Sequence, residues 1–203
     1  MIRALAFLAL VLPVQAGAQE VRSLYTTHDW QTDCTAPDTD RPADEAGMGG
    51  RLVCPGPAGL SLMLAEGDAR VSMDYGSTRR FGPWESFTSF NSVHETVEWR
   101  QHGTGGAARI VATIHRWFVG PDPDPREILV ISSVARGAGD ESCMVGIVDA
   151  SPTAGANALA RAVADARAHG FRCGEDRVRA YGDVGLDTPL PRRAAPLPAD
   201  RDH

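Results

Sequence analysis

The sequence predicts an α+β protein in which an antiparallel sheet of about six strands carries one C-terminal helix. Strand-like runs follow one another with short turn signals between them, and a single alanine-rich segment has helical character. Four cysteines could form disulfides that link these elements. The 203 residues are 43% apolar and 23% charged, as is typical of globular proteins. We therefore expect a meander, which could curl toward a half-barrel, with the helix packed on it.

Residues 1–18 have the features of a secretory signal peptide. Arg3 supplies the positive region, residues 4–14 form an apolar run, and small residues precede the expected cleavage point. The run is shorter than a membrane span, and no later segment reaches the ~20 apolar residues that one needs. We expect a soluble, periplasmic or secreted protein with no integral membrane segment in the mature chain and a single domain over residues 19–185.

Both ends of this domain are poor in regular patterns. Residues 19–57 are polar and rich in proline and glycine, which predicts a loop-rich arm with one short strand near residues 24–27. After residue 186, prolines and arginines alternate and no apolar periodicity remains. We expect residues 186–203 to form a disordered tail.

The four cysteines are Cys34, Cys54, Cys143 and Cys173, and we expect two disulfides because an exported chain folds in an oxidising compartment. Three pairings are possible. We favour Cys34 with Cys54 and Cys143 with Cys173, since the partners in each pair are close in sequence. No CxxC motif is present, so neither a cysteine zinc site nor a thioredoxin-like centre is predicted.

Two hairpins are predicted in the middle of the chain. The runs 60–65 and 69–75 flank a Glu-Gly-Asp turn, and the second run alternates apolar with polar residues. The runs 95–101 and 109–119 flank a glycine cluster. Between the hairpins, aromatic residues recur every three positions, which predicts one or two helical turns over residues 80–92.

The last third holds the strongest strand signal and the helix. Residues 128–134 are almost continuously apolar, and in the next strand Cys143, Val145 and Ile147 are expected to share one face. Ser151 suits the helix N-cap, and the alanine-rich stretch after it predicts a helix over residues 152–169. A Cys143–Cys173 bond would lock the end of this helix onto the strand face.

The densest polar cluster lies on the strand of the second hairpin, where His94, Glu98, Arg100 and His102 share one face. A carboxylate flanked by imidazoles and a guanidinium could bind a metal or relay protons. The alternative is a solvated strand face with cross-strand ion pairs. His115 on the partner strand would join a His-Glu-His group if the register placed it opposite Glu98. We treat these five residues as a candidate binding site.

Known catalytic and cofactor motifs are missing from the sequence. It contains no GxSxG elbow, no GxGxxG fingerprint, no EF-hand loop and no basic stripe interleaved with aromatics. We therefore predict no catalytic residue, no metal and no cofactor. The formal net charge of −6 also argues against a nucleic-acid partner.

Several short segments resemble a family of uncharacterised exported proteins of Gram-negative bacteria, over roughly residues 22–180. They are Val97-Glu98-Trp99-Arg100, Arg116-Trp117, Val148-Asp149-Ala150, residues 156–161, Ala164-Asp165 and Phe171-Arg172-Cys173-Gly174. That family carries no assigned activity. The resemblance implies export and paired cysteines, and it transfers no catalytic residue.

Three functions are compatible with these observations. The first is a non-enzymatic periplasmic binding or inhibitor-like module that acts through a protein surface on another envelope protein or a small ligand. The second is a metal-dependent or acid–base hydrolase that uses the His/Glu cluster of the 94–102 and 109–118 hairpin. The third is a structural envelope protein. The sequence leaves the oligomeric state open.

Overall fold

A computed structural model describes residues 20–37 and 50–194. Within these ranges the chain forms eleven strands and one α-helix. The predicted signal peptide, residues 38–49 of the predicted arm, and the tail beyond residue 194 lie outside the described residues. In chain order the elements are β1 (Val21–Thr27), β2 (Arg51–Pro55), β3 (Ser61–Gly67), β4 (Arg70–Gly76), β5 (Glu85–Ser86), β6 (Asn91–His102), β7 (Arg109–Val119), β8 (Arg126–Ser133), β9 (Met144–Asp149), α1 (Ala156–Arg167), β10 (Arg179–Tyr181) and β11 (Arg192–Arg193).

The largest sheet has six strands in the order β1-β6-β7-β8-β9-β10. All neighbours are antiparallel except β9 and β10, which are parallel. The predicted antiparallel sheet of about six strands is therefore confirmed in part, because the six-stranded sheet is mixed. The parallel pair arises because α1 lies between β9 and β10 in sequence and returns the chain to the same end of the sheet.

Two further sheets correct the expectation of a single meander. Strands β2, β3 and β4 form a three-stranded antiparallel sheet, and β5 pairs with β11 in a small two-stranded sheet. The three-stranded sheet packs on one face of the large sheet, where Leu62 and Tyr75 join Trp99 and Trp117 in one buried cluster. Helix α1 covers the other face through a second cluster. The large sheet is therefore covered on both sides.

The helix is shorter than predicted. It begins at Ala156, after Gly155 in a left-handed conformation, and its last turn continues as a 3-10 turn over Ala168–Gly170. Ser151 does not cap it, because its hydroxyl accepts a hydrogen bond from the Glu127 amide at 3.0 Å. The small buried residues Ala160 and Ala164 allow the helix to lie close to the sheet.

The helix predicted over residues 80–92 is wrong. Apart from the short strand β5 this segment is irregular up to residue 90. Pro83 has no amide hydrogen to donate, and the Glu85 amide donates to the Ser72 hydroxyl on β4 at 3.0 Å instead of to a helical carbonyl. Only part of the aromatic stripe reaches the core: Phe87 contacts the Trp117 ring, whereas Phe90 is exposed.

Both predicted disulfides are present. The sulfur–sulfur distances are 2.00 Å for Cys34–Cys54 and 2.03 Å for Cys143–Cys173. The second bond joins the start of β9 to the chain just after the helix, as expected. Val145 and Ile147 do not share a face, however, because a register shift in the β8–β9 pairing turns Val145 toward the helix and Ile147 toward the other core.

Residues 186–194, the described part of the tail, contact the domain, although the sequence predicted disorder there. The Thr188 hydroxyl donates to the buried Asp149 carboxylate at 2.8 Å, and β11 pairs with β5. Within the described ranges, no helix combines the length and the apolar character that a membrane span requires.

Candidate functional site

The structure places four of the five candidate site residues in two groups and leaves the His94 side chain outside both. Glu98, Arg100 and His102 share the face of β6 that is turned toward α1, where the helix supplies their partners. Arg161 Nε lies 2.6 Å from Glu98 Oε1, and Arg100 Nη2 lies 2.5 Å from Asp165 Oδ2. His102 Nε2 lies 3.2 Å from the other Asp165 oxygen. These contacts hold the helix against β6.

The charged side chains of this first group have hydrogen-bond partners within the protein. The Ser23 hydroxyl on β1 donates to Glu98 and accepts from Arg100, so three elements meet there. Burial acts to raise the pKa of Glu98, but the hydrogen bonds from Arg161 and Ser23 outweigh it and leave the pKa lowered. An ionised carboxylate with this many donors is suited to holding the helix in place.

His115 belongs to the second group, on the opposite face of the sheet. It lies opposite Val97 in the register, and Glu98 lies opposite Ile114, so no His-Glu-His group forms. His115 Nε2 donates to the His94 carbonyl at 2.6 Å, which leaves Nδ1 to accept from the Tyr75 hydroxyl at 2.8 Å. Burial lowers the pKa of His115 to about 4, so the ring is neutral at pH 7.

The His94 side chain is remote from both arrangements. It is exposed, and its Nδ1 accepts a hydrogen bond from the Thr96 amide at 3.0 Å. Only its main-chain carbonyl contacts His115. The strand alternation that placed His94 on one face with Glu98 is interrupted by a register shift between Val93 and Val97.

A cavity of about 570 Å³, which sequence reasoning missed, lies on the outer face of the three-stranded sheet. The segment 78–84 and the loop 135–142 complete its walls. We call it the Asp74 cavity. The lining side chains that matter for its chemistry are Arg51, Met63, Asp74, Arg80, Phe81 and Trp84.

The β3–β4 hairpin places Asp74 in this cavity. Met63 lies opposite Asp74 in the register, and Leu62 and Tyr75 form the next pair, whose side chains join the core on the other face. The alternation of Ser72 and Asp74 with apolar residues is the pattern of a strand with one solvated face. The segment 78–84 and the loop 135–142 cover that face, and Asp74 is only 6% exposed.

Two buried acidic side chains, Asp74 in the cavity and Glu85 beside it, have raised pKa values. Burial raises the pKa of Asp74 to about 6, against the opposing effect of a 2.9 Å hydrogen bond from the Gly82 amide. Burial also raises the pKa of Glu85 to about 7, although the Met144 amide, which donates to it at 2.7 Å, acts in the opposite direction. Both groups can therefore exchange protons near neutral pH.

The C-terminal strand β11 closes one side of the cavity. Arg193 Nη2 lies 2.7 Å from a Glu141 oxygen, and Nη1 lies 3.5 Å from Glu85. The Ala194 amide donates to the Trp84 carbonyl at 2.7 Å, and Ala194 itself lines the cavity. The positive charge that faces Glu85 and Glu141 thus comes from Arg193, which is far from both of them in sequence.

The cavity combines an aromatic wall with charged groups of both signs. The Arg51 guanidinium stacks over the Phe81 ring at 4.9 Å, and Trp84 extends the apolar surface. A buried carboxyl beside aromatic side chains can accept hydrogen bonds from a polar ligand while the aromatic wall holds its apolar part. The turn Gly82-Pro83-Trp84 forms part of the cavity wall. Its Gly-Pro pair is a turn signal, and it was the one sequence feature that could have indicated the cavity.

One further cluster has metal-ligand chemistry within residues 20–37 and 50–194. Donor atoms of His28, Cys34 and Cys54 lie within 4.8 Å of one another. Both sulfurs are consumed by the disulfide between them, so neither can act as a thiolate ligand. The His28 ring hydrogen-bonds to the Thr26 hydroxyl at 3.0 Å. The cluster has a structural role in the oxidised protein.

Comparison of the chain with protein-family models, with curated proteins and with solved structures found no match.

Proposed function

We propose that the protein is a non-enzymatic binding module of the bacterial envelope, and that its ligand occupies the Asp74 cavity. The observation that carries the proposal is a buried carboxyl with a pKa near 6, set beside Phe81 and Trp84 in a concave site of about 570 Å³. Ligand pockets are commonly ~300–1,000 Å³ in volume and apolar with a few placed polar groups. The ligand is a small molecule or an exposed segment of another envelope protein.

Export supports the envelope location. Two disulfides and no free cysteine within the described residues are typical of chains that fold in an oxidising compartment. The predicted signal peptide and the resemblance to exported Gram-negative proteins point the same way. The periplasm is accordingly the proposed location.

The geometry favours binding over the two alternatives. The hydrolase hypothesis needed His115 beside Glu98, and the register places these side chains on opposite faces of the large sheet. A purely structural role gives no reason to bury an ionisable carboxyl beside an aromatic wall, because removing such a group from water is destabilising. A binding site gives such a reason.

The proposal can be tested by capture from an envelope extract. The immobilised wild-type protein is compared with the cavity variants Trp84→Ala and Asp74→Asn and with Arg109→Ala, an exposed control at the start of β7. Mass spectrometry should find a component that the wild type and Arg109→Ala retain and that both cavity variants lose. If every recovered component binds all four proteins equally, the cavity is not the binding site.

A further inference from the structure

Strand β11 occupies a groove as an added strand. Arg192 pairs with Ser86 and Arg193 with Glu85 in an antiparallel register, and the Ala194 amide continues the pairing to the Trp84 carbonyl at 2.7 Å. The contact is therefore made largely by main-chain groups of β5. Such strand addition does not depend on the side chains of the added segment.

The side chain of Arg193 supplies the specific part of this contact. Its guanidinium reaches Glu141 at 2.7 Å and Glu85 at 3.5 Å, and its side chain is only 15% exposed. A planar guanidinium offers five donors in a fixed fork and suits a pair of carboxylates better than an ammonium group does. The site is therefore complementary to an arginine on an extended strand.

The groove extends beyond the three residues that occupy it. Ala194 lines the Asp74 cavity, and residues 192–194 also line a second depression of about 420 Å³ that includes Arg70, Phe87 and Thr88. Trp84 and Ala194 line both. A longer bound segment would have room for side chains in each depression.

We propose that this groove, formed by β5, Trp84, Glu85 and Glu141, binds an extended arginine-containing peptide segment of a partner protein, and that residues Arg192–Ala194 are its intramolecular occupant. The inference rests on the proposed binding function and specifies its ligand class. The partner segment adds to β5 in place of β11 and places an arginine between Glu85 and Glu141.

The hold of β11 on the groove is weak enough to be exchanged. The strand contributes only two paired residues, and the nearer ion-pair partner of Arg193, Glu141, is 48% exposed, so water screens that contact. Strand β11 has one advantage over a partner segment: it belongs to the same chain as the groove, so its effective concentration there is high. A partner segment that also fills the two depressions would compensate for that advantage.

The test uses a fluorescent peptide with the sequence of residues 189–198, PLPRRAAPLP, and the full chain with its disulfides intact. Arg193→Ala weakens the occupant, so the peptide should bind this variant at least ~10-fold more tightly than it binds the wild type. Changing the second arginine of the peptide to alanine should reduce binding to Arg193→Ala by a similar factor. Fluorescence anisotropy measures each dissociation constant.

A second variant keeps the test independent of any folding defect. The Glu141 side chain is 48% exposed, so Glu141→Gln leaves the core intact while it removes one charge from the groove. Added to Arg193→Ala, it should weaken peptide binding ~10-fold. Equal binding to wild type and Arg193→Ala, or no effect of Glu141→Gln, would overturn the inference. If cavity-dependent capture from the extract persists in that case, the ligand class is wrong and the binding function stands; if capture also fails, both are wrong.

Discussion

The guanidinium of Arg193 and the carboxylate of Glu141 lie 2.7 Å apart, although the two residues are separated by 52 positions in the chain. The contact joins the C-terminal strand to the loop that precedes β9. It places a positive charge beside two acidic residues at the rim of the Asp74 cavity. The C-terminal segment and the candidate binding site are therefore one structural unit.

Breaking this pair should loosen the C-terminal strand without unfolding the domain. Arg193→Ala removes the ion pair, and we expect faster amide hydrogen exchange over residues 192–194 with a loss of ~1 kcal/mol or less in global stability. Arg172→Ala, which breaks an exposed pair with Asp176, is the matched control. Unchanged exchange at residues 192–194 would show that the side chain does not hold the strand.

The stability of the protein should decrease as the pH rises toward 7. Asp74 and Glu85 have folded-state pKa values of about 6 and about 7, above their ordinary values near 4, so between these limits the folded protein binds more protons than the unfolded chain. Considering these groups alone, the free energy of unfolding is then largest below about pH 4, and it falls as the pH rises through the folded-state pKa values.

Asp74→Asn should remove part of this pH dependence. Asparagine can still accept the hydrogen bond from the Gly82 amide but does not ionise. Urea unfolding at pH 5 and pH 8 should show a stability difference that is smaller in the variant by ~1.4 kcal/mol, because about one pH unit separates pH 5 from the folded-state pKa of Asp74. Glu95→Gln, at an exposed position on β6, provides the control. A variant with the same pH profile as the wild type would contradict the buried, protonatable state of Asp74.

The bond between Cys143 and Cys173 should contribute a large share of stability. Replacing both cysteines by serine releases the chain after α1 from β9, and we expect a loss of ~3–4 kcal/mol from the free energy of unfolding. Chemical denaturation measures this loss. A change below ~1 kcal/mol would mean that packing of the helix alone fixes this end of the domain.

The Tyr75–His115 hydrogen bond should matter for the core. Tyr75→Phe leaves the buried Nδ1 of His115 without its donor, and a buried unsatisfied acceptor costs ~1–3 kcal/mol. Tyr25→Phe is the comparison, because its hydroxyl contacts Arg161 at an exposed position. Thermal unfolding should separate the two variants clearly. Similar melting temperatures would indicate that the His115 ring finds another donor.

Local patterns predicted the covalent framework and much of the large sheet. The alternation around Trp99 and the apolar run at residues 128–134 are recovered in β6 and β8, and both cysteine pairings follow from closeness in sequence. These features depend on neighbours along the chain. The helix was also located, although Gly155 and not Ser151 precedes its first residue.

The candidate site depended on contacts that sequence patterns do not contain. Asp74 has the position of a solvated strand residue, but the following segment 78–84 and the distant loop 135–142 cover that face of the strand. Register shifts in β6 and β9 decided which side His94 and Val145 face. The long-range pairing of β11 with β5 could not be read from a proline-rich tail.

The most direct test of the central claim is the affinity of the captured envelope component for the wild type and for Trp84→Ala, measured by isothermal titration calorimetry. If the ligand occupies the Asp74 cavity, the dissociation constant should rise at least ~10-fold in Trp84→Ala, as expected for loss of a buried aromatic contact, and remain unchanged in Arg109→Ala. Equal affinities for wild type and Trp84→Ala would contradict the account.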